Sequence, residues 1–282
     1  MYSAGLILEG GGMRAAYTAG VIDALIDNKL EFTSCYGVSS GACHGASYLS
    51  KQRGRAYRTM TDYMGDKQYF SYWNLFTKGD LLGPEMVFHI IPEQLDPFDY
   101  DEYNKYPGKF YCVATNCETG EAEYFHLKIM EEDVEMLHAS SALPILAKKV
   151  KIGENYYFDG GIIDSIPIKR SIDDGNVKNV LVLTQDAVYQ KKYDKATPIL
   201  KIAYPKYPKM VEMVATRHIR YNEALELITQ EEAAGRAFVI RPKKPVTVSR
   251  IKFNKEKIAL LYDEGYHDAM EKIDDLIAFL EK

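Results

Sequence analysis

Apolar residues near the start of the chain change their spacing, and the change predicts a strand followed by a helix. Gly5 to Glu9 is a short apolar run that leads into three glycines, which is typical of a buried strand. A stripe with spacings of four, three and four follows on one helical face: Ala15, Ala19, Ile22 and Ile26. Phe32 to Val38 and Ser40 to Leu49 repeat the pair as a second strand and a second helix. Two consecutive strand–helix units predict a parallel sheet that is buried on both faces.

The middle of the chain predicts further strands with two helices among them. The predicted strands are 109–114, 122–127, 149–152, 156–158 and 180–183, and the predicted helices are 130–138 and a short one between Pro167 and Gly175. Residues 63–82 carry six aromatic side chains among Gly and Lys and predict a surface loop. This loop is interpreted either as a lid or lipid-facing element, or as an apolar cluster beneath a long loop.

The pattern changes after about Gln185. Two helical stripes are separated by a predicted strand at 238–240: the first comprises Val211, Val214, His218, Tyr221, Leu225 and Ile228, and the second Met270, Ile273, Leu276, Ile277 and Leu280. The sequence therefore predicts a core over residues 1–186 and an α-rich extension over residues 187–282 that packs on it.

Composition and charge disfavour several classes of protein. The 282 residues are 46% hydrophobic and 27% charged with a net charge of −5, which disfavours disorder and wholesale nucleic-acid binding. The uncharged run 32–50 contains too many polar residues for a membrane span, and the N-terminus lacks a basic signal region. The four cysteines fit neither a metal site nor a disulfide framework. We therefore expect a cytoplasmic protein without metal or cofactor; peripheral contact with a membrane stays open.

The first candidate site is the glycine-rich turn Gly10-Gly11-Gly12-Met13-Arg14-Ala15, which follows a strand and opens a helix. Backbone N–H groups at such a turn can cradle an anion. The segment also satisfies G-x-G-x-x-A, the pattern of dinucleotide-binding turns. That interpretation predicts an acidic residue at the end of the second strand, and none is there.

The second candidate site stands at the end of that strand as Gly37-Val38-Ser39-Ser40-Gly41. A G-x-S-x-G segment between a strand and a helix exposes a serine nucleophile on a sharp turn, where flanking glycines tolerate close backbone approach. Because the first two strands are expected to be neighbours, their carboxyl ends would bring the glycine-rich turn and Ser39 to one edge of the sheet.

The third candidate site is Asp159, which ends a predicted strand and precedes Gly160 and Gly161. It is interpreted either as a catalytic carboxylate or as an ordinary turn aspartate. The histidines offer no clear partner for Ser39. His44 lies five residues further along a helix and would point roughly 140° away, and His218 lies on an apolar stripe, where a satisfied core residue is expected.

Taken together and in this order, the three motifs resemble the patatin-like phospholipase family, and the segment Ala139-Ser140-Ser141-Ala142-Leu143-Pro144 adds to the likeness, which covers about Leu6 to Thr184. The resemblance implies an α/β three-layer sandwich with a mainly parallel central sheet. It implies a catalytic dyad of Ser39 and Asp159 without a histidine. It also implies an oxyanion loop, which here comprises Gly10, Gly11, Gly12 and Arg14.

The resemblance further implies hydrolysis of lipid carboxylic esters, with phospholipids or lysophospholipids as the expected substrates. Two other functions stay open. One is an α/β-hydrolase-type esterase with a Ser-Asp-His triad completed by His218 or His267. The other is a binding module without enzymatic activity, which would hold a nucleotide or another anion at the glycine-rich turn. The aromatic stretch and a basic segment could meet an anionic membrane, with an ordinary solvated face as the alternative interpretation of the basic residues: Lys243, Lys244, Arg250, Lys252, Lys255 and Lys257.

Overall fold

A computed structural model describes residues 1–282, and its centre is one eight-stranded sheet. The order across the sheet is β5-β6-β3-β2-β1-β7-β8, and β4 pairs with β3. The strands are β1 (Tyr2–Leu8), β2 (Phe32–Val38), β3 (Lys109–Asn116), β4 (Ala122–His126), β5 (Val150–Ile152), β6 (Asn155–Asp159), β7 (Asn179–Val182) and β8 (Ala237–Ile240). Five strands, from β3 through β2, β1 and β7 to β8, are parallel, which confirms the predicted mainly parallel sheet.

Helices cover both faces of this sheet. They are α1 (Ala16–Asp27), α2 (Ser40–Leu49), α3 (Arg55–Thr61), α4 (Tyr72–Lys78), α5 (Tyr100–Asn104), α6 (Met130–Ser141), α7 (Ile168–Asp173), α8 (Thr197–Ala203), α9 (Pro208–Ala233), α10 (Lys255–Glu271) and α11 (Ile273–Glu281). A π-helix spans Met86–Leu95, and short 3₁₀ turns span Gly12–Ala15 and Gly160–Ile162. None of the helices combines the length and the apolar character that crossing a membrane requires.

The alternation of side chains along the strands divides the core into layers. Leu6 and Leu8 of β1 belong to the largest apolar cluster, which also contains residues of α1, α2, α10 and α11. Ile7 points to the opposite face and packs in a second cluster with residues of α7 and α9. A sheet that buries both faces under helices is the three-layer α/β sandwich expected from the sequence.

The position of β6 in the sheet determines where the candidate site lies. β2 pairs along one edge of β3 and ends with Val38 opposite Val113, while β4 occupies the other edge as far as Thr115. β6 pairs antiparallel with β3 and ends with Asp159 opposite Ala114. Since a strand has only two edges, β6 must lie on the edge that β2 has just left. The two strands therefore run toward each other and end at adjacent positions of β3.

The extension after residue 186 is built into the same sheet, since β8 pairs with β7. Helix α10 crosses α1 at two glycines that have no room for a side chain. A Cβ on Gly20 would lie 2.1 Å from the Tyr262 carbonyl oxygen, and one on Gly265 would lie 2.1 Å from that of Tyr17. The extension thus shares the main core, and the boundary at residue 186 stays a prediction.

Several predictions of local structure need correction. The aromatic stretch 63–82 is not a loop throughout, because α4 occupies Tyr72–Lys78, and its aromatic side chains divide between the core and the surface. The last apolar stripe does not lie on one helix, because the chain breaks at Lys272 between α10 and α11. The bounds predicted for β2 and α2 agree with the structure at both ends.

Candidate active site

Ser39 occupies a strained turn between β2 and α2. Its φ of 55° and ψ of −128° lie outside the regions that residues with a side chain ordinarily adopt, and such strain persists only where neighbouring contacts hold it. The Ser39 N–H donates to Ser140 Oγ at 2.9 Å, and its carbonyl accepts from the Ala42 N–H at 2.9 Å. Ser39 is half-buried, and its hydroxyl makes no hydrogen bond within the chain.

The two motif glycines beside Ser39 allow this turn to pack closely. A Cβ on Gly37 would lie 2.5 Å from Ala42 Cα, and one on Gly41 would lie 2.4 Å from the Leu8 carbonyl oxygen. Both contacts are to backbone, which cannot rotate away as a side chain can. Helix α2 can therefore approach β1 and β2 only because these two positions lack side chains.

Asp159 reaches the same edge of the sheet at the end of β6. Its side chain is 2% exposed, and Oδ1 accepts the Gly161 N–H at 2.7 Å. Oδ2 is buried and has no hydrogen-bond partner in the chain. The chain can turn away at this point because Gly160 lacks a side chain, since a Cβ there would lie 2.1 Å from the Val113 carbonyl oxygen. One carboxylate oxygen is thus fixed and the other is free.

The end of α6 connects the two candidate residues. Ser140, fully buried, accepts the Ser39 N–H, and the carbonyl of Ala142 accepts the Asp159 N–H at 2.7 Å. One short segment therefore positions the backbone of both residues. The sequence pointed to the segment 139–144 only through a resemblance, and these two hydrogen bonds give it a physical role.

The glycine-rich turn lies directly beside Ser39. A Cβ on Gly10 would be 3.1 Å from Ser39 Cβ. The Gly11 N–H donates to Ser40 Oγ at 3.0 Å, whereas the N–H groups of Gly10 and Gly12 have no acceptor in the chain. The Gly12 backbone has a φ of 57°. Of the three glycine amides, those of Gly10 and Gly12 are free to meet a ligand.

Arg14 lies within the same turn, and its Nε is buried without a partner. Burial lowers the pKa of its guanidinium, and the charge of Arg250 adds to the shift, while Glu9 opposes it. Glu9 offers no free oxygen, because it accepts hydrogen bonds from the Thr184 N–H at 2.6 Å and from the Tyr221 hydroxyl at 2.8 Å. Arg14 is therefore a partly desolvated cation with no carboxylate bound to it.

An apolar cavity of about 220 Å³ opens beside Ser39. Its walls come from α2, α3, α6, the π-helix and the segment before it. The apolar residues that line it include Met60, Leu81, Val87, Ile91, Leu137 and Leu146. A cavity of this kind can hold a hydrocarbon chain with one end at the serine.

Comparison with known proteins decides the family. A family model described as patatin-like phospholipase matches residues 6–171. The chain belongs to this family. Membership in the patatin-like phospholipases makes it a hydrolase of carboxylic ester bonds, with lipid hydrolysis as the activity that the family supports. A second family model, described as a domain of unknown function, matches residues 207–281.

The chain is also similar to two curated proteins and to one solved structure. The uncharacterized protein YjjU of Escherichia coli strain K12 is 26% identical over 248 residues, which cover 86% of this chain and 69% of that protein. The probable lipid hydrolase 463L of Invertebrate iridescent virus 6 is 26% identical over 62% of this chain and 65% of its own length. The crystal structure of VipD from Legionella pneumophila matches 98% of this chain and 67% of its own, with a TM-score of 0.49 and 14% identity.

No histidine of this patatin-like chain makes a hydrogen bond to Ser39 or Asp159, and the one side-chain hydrogen bond of a histidine joins His138 and Glu135. His44 lines the apolar cavity, and burial lowers the pKa of its imidazole to about 4. Neither His44 Nε2 nor His218 Nδ1 has a hydrogen-bond partner, so neither is bound to Ser39 or Asp159. The prediction that His218 is a satisfied core residue is wrong, because it lines a pocket between α9 and the segment after β7.

Sequence reasoning did not assign three basic residues to the site: Lys191, Arg217 and Arg250, the last of which it had placed in the basic segment. Arg217 lies against Gly161, where a Cβ would be 2.9 Å from its Nη2. The Arg250 carbonyl accepts the Met13 N–H at 3.0 Å, so this part of the extension holds the glycine-rich turn. The one signal in the sequence was Arg217, which lies at the edge of the apolar stripe of α9.

Proposed function

We propose that this patatin-like hydrolase cleaves carboxylic esters of phospholipids or lysophospholipids through an acyl-enzyme on Ser39, with Asp159 as the only side-chain base. One observation carries the proposal. The strained Ser39 turn and the free Oδ2 of Asp159 end two strands that meet at adjacent positions on one edge of β3. A nucleophile and a base must come within hydrogen-bond reach when substrate binds, and contacts of this kind are often longer in the empty enzyme.

In the first half of the reaction, Ser39 Oγ attacks the ester carbonyl carbon and its proton passes to Asp159 Oδ2. The carbonyl oxygen becomes an oxyanion, which the N–H groups of Gly10 and Gly12 stabilise. The tetrahedral intermediate then collapses, the bond to the alcohol oxygen breaks, and Asp159 returns the proton to that oxygen. The alcohol leaves, and the acyl group stays on Ser39.

In the second half, water takes the place of the alcohol. Asp159 accepts a proton from the water as its oxygen attacks the acyl carbon, and the same N–H groups meet the new oxyanion. Collapse breaks the bond to Ser39 Oγ, which recovers its proton from Asp159. Gly161 supports both halves, since its N–H holds Oδ1 and leaves Oδ2 directed to the reaction.

Labelling with a fluorophosphonate tests the nucleophile. The wild-type protein is expected to form one covalent adduct, because this reagent phosphonylates activated serines, and the Ser39→Ala variant is expected to form none. Ser40→Ala is the matched control, since its hydroxyl lies one residue away and already binds the Gly11 N–H. The adduct is measured by intact mass spectrometry. Labelling of Ser39→Ala at the wild-type rate would show that another residue is the nucleophile.

A triad remains the alternative mechanism, and it predicts a different result. Substituting His218 or His267 by Ala would then remove turnover as completely as substituting Ser39. The structure favours the dyad, because the unpartnered nitrogen of His218 lies in a separate pocket from the one that Ser39 lines.

We further propose that α4 contacts the lipid surface from which substrate enters. Trp73 and Phe76 are 70% and 85% exposed, and the segment flanking α4 pairs Phe70 with Leu82 at the cavity wall. The predicted basic segment supports this contact less, because Lys243 already binds Asp268 at 2.9 Å and also binds Glu271. Aromatic rings beside the cavity mouth could enter the lipid interface.

Binding to lipid vesicles measures this contact. Phe76→Ser is expected to weaken partition into vesicles of phosphatidylglycerol and phosphatidylcholine about 10-fold or more, since burial of one large apolar side chain is worth about 1.5 to 3 kcal/mol. Ile202→Ser is the matched control, because Ile202 is 82% exposed on α8. Vesicle binding is measured by sedimentation. If Phe76→Ser binds as well as Ile202→Ser and the wild type do, α4 is not the contact.

A further inference from the structure

A second pocket, of about 240 Å³, lies between α9, the segment after β7 and Arg250. Its lining is polar and basic, in contrast to the apolar cavity beside Ser39. Five Lys or Arg side chains and one carboxylate face it, together with His218 and two tyrosines. The five cations are Lys191, Lys192, Lys195, Arg217 and Arg250.

The basic side chains of this pocket form no ion pairs within the protein, although Asp159 and Asp194 lie close enough to Arg217 to oppose part of its pKa shift. None of the five forms an ion pair within 4.0 Å. The one carboxylate, Asp194, accepts the Ala196 N–H at 2.9 Å. Arg217 donates only to the hydroxyl of Ser165, at 3.2 and 3.4 Å. His218 Nδ1 is buried without a partner and faces the same pocket. Five basic side chains therefore converge here on a single carboxylate, and none of them forms an ion pair with it.

This arrangement disfavours the charged forms of two of its basic side chains in the empty protein. Burial lowers the pKa of Arg217 to about 10, and the neighbouring charge of Arg250 adds to that effect. Burial also lowers the pKa of Lys191 to about 6, with further contributions from Arg217 and Arg250. Lys191 Nζ lies 4.3 Å from the centroid of the Tyr221 ring, and the charge of Glu9 opposes part of the shift. Half-buried basic groups that cluster in one pocket without ion pairs mark a candidate anion site, and an anion bound beside Lys191 would restore the charged form of its amine.

The basic pocket and the apolar cavity have one lining residue in common, and it lies beside the candidate active site. Arg250 lines both, and its carbonyl oxygen holds the glycine-rich turn through the Met13 N–H. Arg217 lies against Gly161, next to Asp159. An ester with its acyl chain in the apolar cavity and its carbonyl at Ser39 would thus have its alcohol portion on the side of Arg217 and Arg250.

We infer that Lys191, Arg217 and Arg250 bind a phosphate group carried on the alcohol portion of the ester substrate. This inference rests on the proposed function, because it assigns the leaving group of that reaction. Guanidinium groups match phosphate oxygens with paired hydrogen bonds, and an ammonium adds a point charge. The extension, whose family model names no function, then serves to select esters that carry phosphate.

Phosphate binding is measured first, without catalysis. Inorganic phosphate and glycerol 3-phosphate are each titrated into the full chain carrying Ser39→Ala, at ionic strength held constant with sodium chloride, and the melting temperature is recorded. Glycerol 3-phosphate is expected to raise it, since a ligand bound only to the folded state stabilises that state. The shift should disappear in Arg217→Gln and Lys191→Gln and persist in Lys201→Gln, an exposed lysine on α8. A shift that persists in all three variants would overturn the inference.

Selectivity is measured next, with two esters of the same short acyl chain: a monoacylglycerol and the corresponding monoacylglycerol 3-phosphate. In Arg217→Gln and Lys191→Gln, the ratio of kcat/KM for the phosphate ester to that for the uncharged ester is expected to fall at least 10-fold, mainly through KM. Lys201→Gln should keep the wild-type ratio. An unchanged ratio combined with binding of inorganic phosphate would mean that the pocket serves free phosphate, and it would overturn the assignment to the substrate.

These measurements separate failure of the inference from failure of the proposed function. If Ser39→Ala retained full turnover, the dyad would be wrong, while the melting-temperature titration would still report on the pocket. A loss of folding is also distinguishable. Lys191→Met replaces an unpaired buried amine with an apolar side chain of similar length, so the empty variant should melt no lower than wild type. A folded Lys191→Met protein that still gains stability from glycerol 3-phosphate contradicts a role for Lys191.

Discussion

Asp159→Asn is expected to lower kcat about 10⁴-fold, the upper end of what a positioned general base contributes. The substitution preserves size and one acceptor oxygen, which can still bind the Gly161 N–H as Oδ1 does now. The remaining atom then becomes an amide nitrogen, and it has no lone pair for the Ser39 proton. Binding of substrate in the apolar cavity does not involve this atom, so KM should change little. Turnover of a short-chain ester measures the effect.

Asp164→Asn provides the matched control for this prediction. Asp164 lies five residues further along the chain, is half-buried, and accepts the Tyr124 hydroxyl at 2.7 Å. It therefore tests the cost of neutralising a hydrogen-bonded carboxylate of the same segment that is not proposed to act on the serine. If both variants fold and lose turnover equally, the loss reflects the structure around β6 rather than base catalysis. If Asp159→Asn keeps kcat within 10-fold of wild type, Asp159 is not the base.

The elements nearest the serine could be predicted because their signals are local. β2 and α2 agree with the predicted bounds, since a short apolar run ends at Val38 and the small residues from Ser40 onward suit a helix packed on a sheet. The glycines at 37 and 41 indicated a tight turn, and the backbone of Ser39 is indeed strained there. Features that depend on a short stretch of neighbouring residues could therefore be predicted from the sequence.

The meeting of Ser39 and Asp159 could not be predicted from the residues alone. It depends on β6 arriving antiparallel on the edge of β3 that β2 leaves free beyond Val113. No periodicity encodes which edge a distant strand joins, because that choice follows from packing of the whole sheet. The motifs suggested a shared site only through resemblance to a family whose members contain them in the same order.

The basic pocket escaped prediction for a different reason. Arg217, Lys191 and Arg250 are separated along the chain, and each alone is an ordinary polar residue of a helix or loop. Arg250 was instead assigned to a basic surface segment, which the structure divides between ion pairs and the active-site wall. The C-terminal part of the chain thus contributes β8 to the sheet, α10 to the core and cations to the site. A role of this kind is visible only when contacts between distant segments are known.

Gly12→Ala is the second substitution with a large expected effect on turnover. A Cβ on Gly12 would lie 2.3 Å from the Arg250 carbonyl oxygen, so either the turn or the segment around Arg250 has to move. Movement of the turn displaces the Gly12 N–H, which we propose as an oxyanion donor. Loss of one such donor typically costs about 10²- to 10³-fold in kcat, and we expect an effect of that size for a short-chain ester.

The left-handed backbone of Gly12 complicates this test, because any side chain there is strained at a φ of 57°. A substitution at Gly153 controls for this strain, since Gly153 has a φ of 59° and no atom lies within 4 Å of the position of a Cβ there. Gly153→Ala therefore carries the same backbone cost, about 1 to 2 kcal/mol, without the clash or any connection to Ser39. Both variants should melt below wild type, but only Gly12→Ala should lose kcat when assayed well below both melting temperatures. Equal kcat values in the two variants would show that the Gly12 amide does not face the oxyanion, and the donor would then be sought at Gly10.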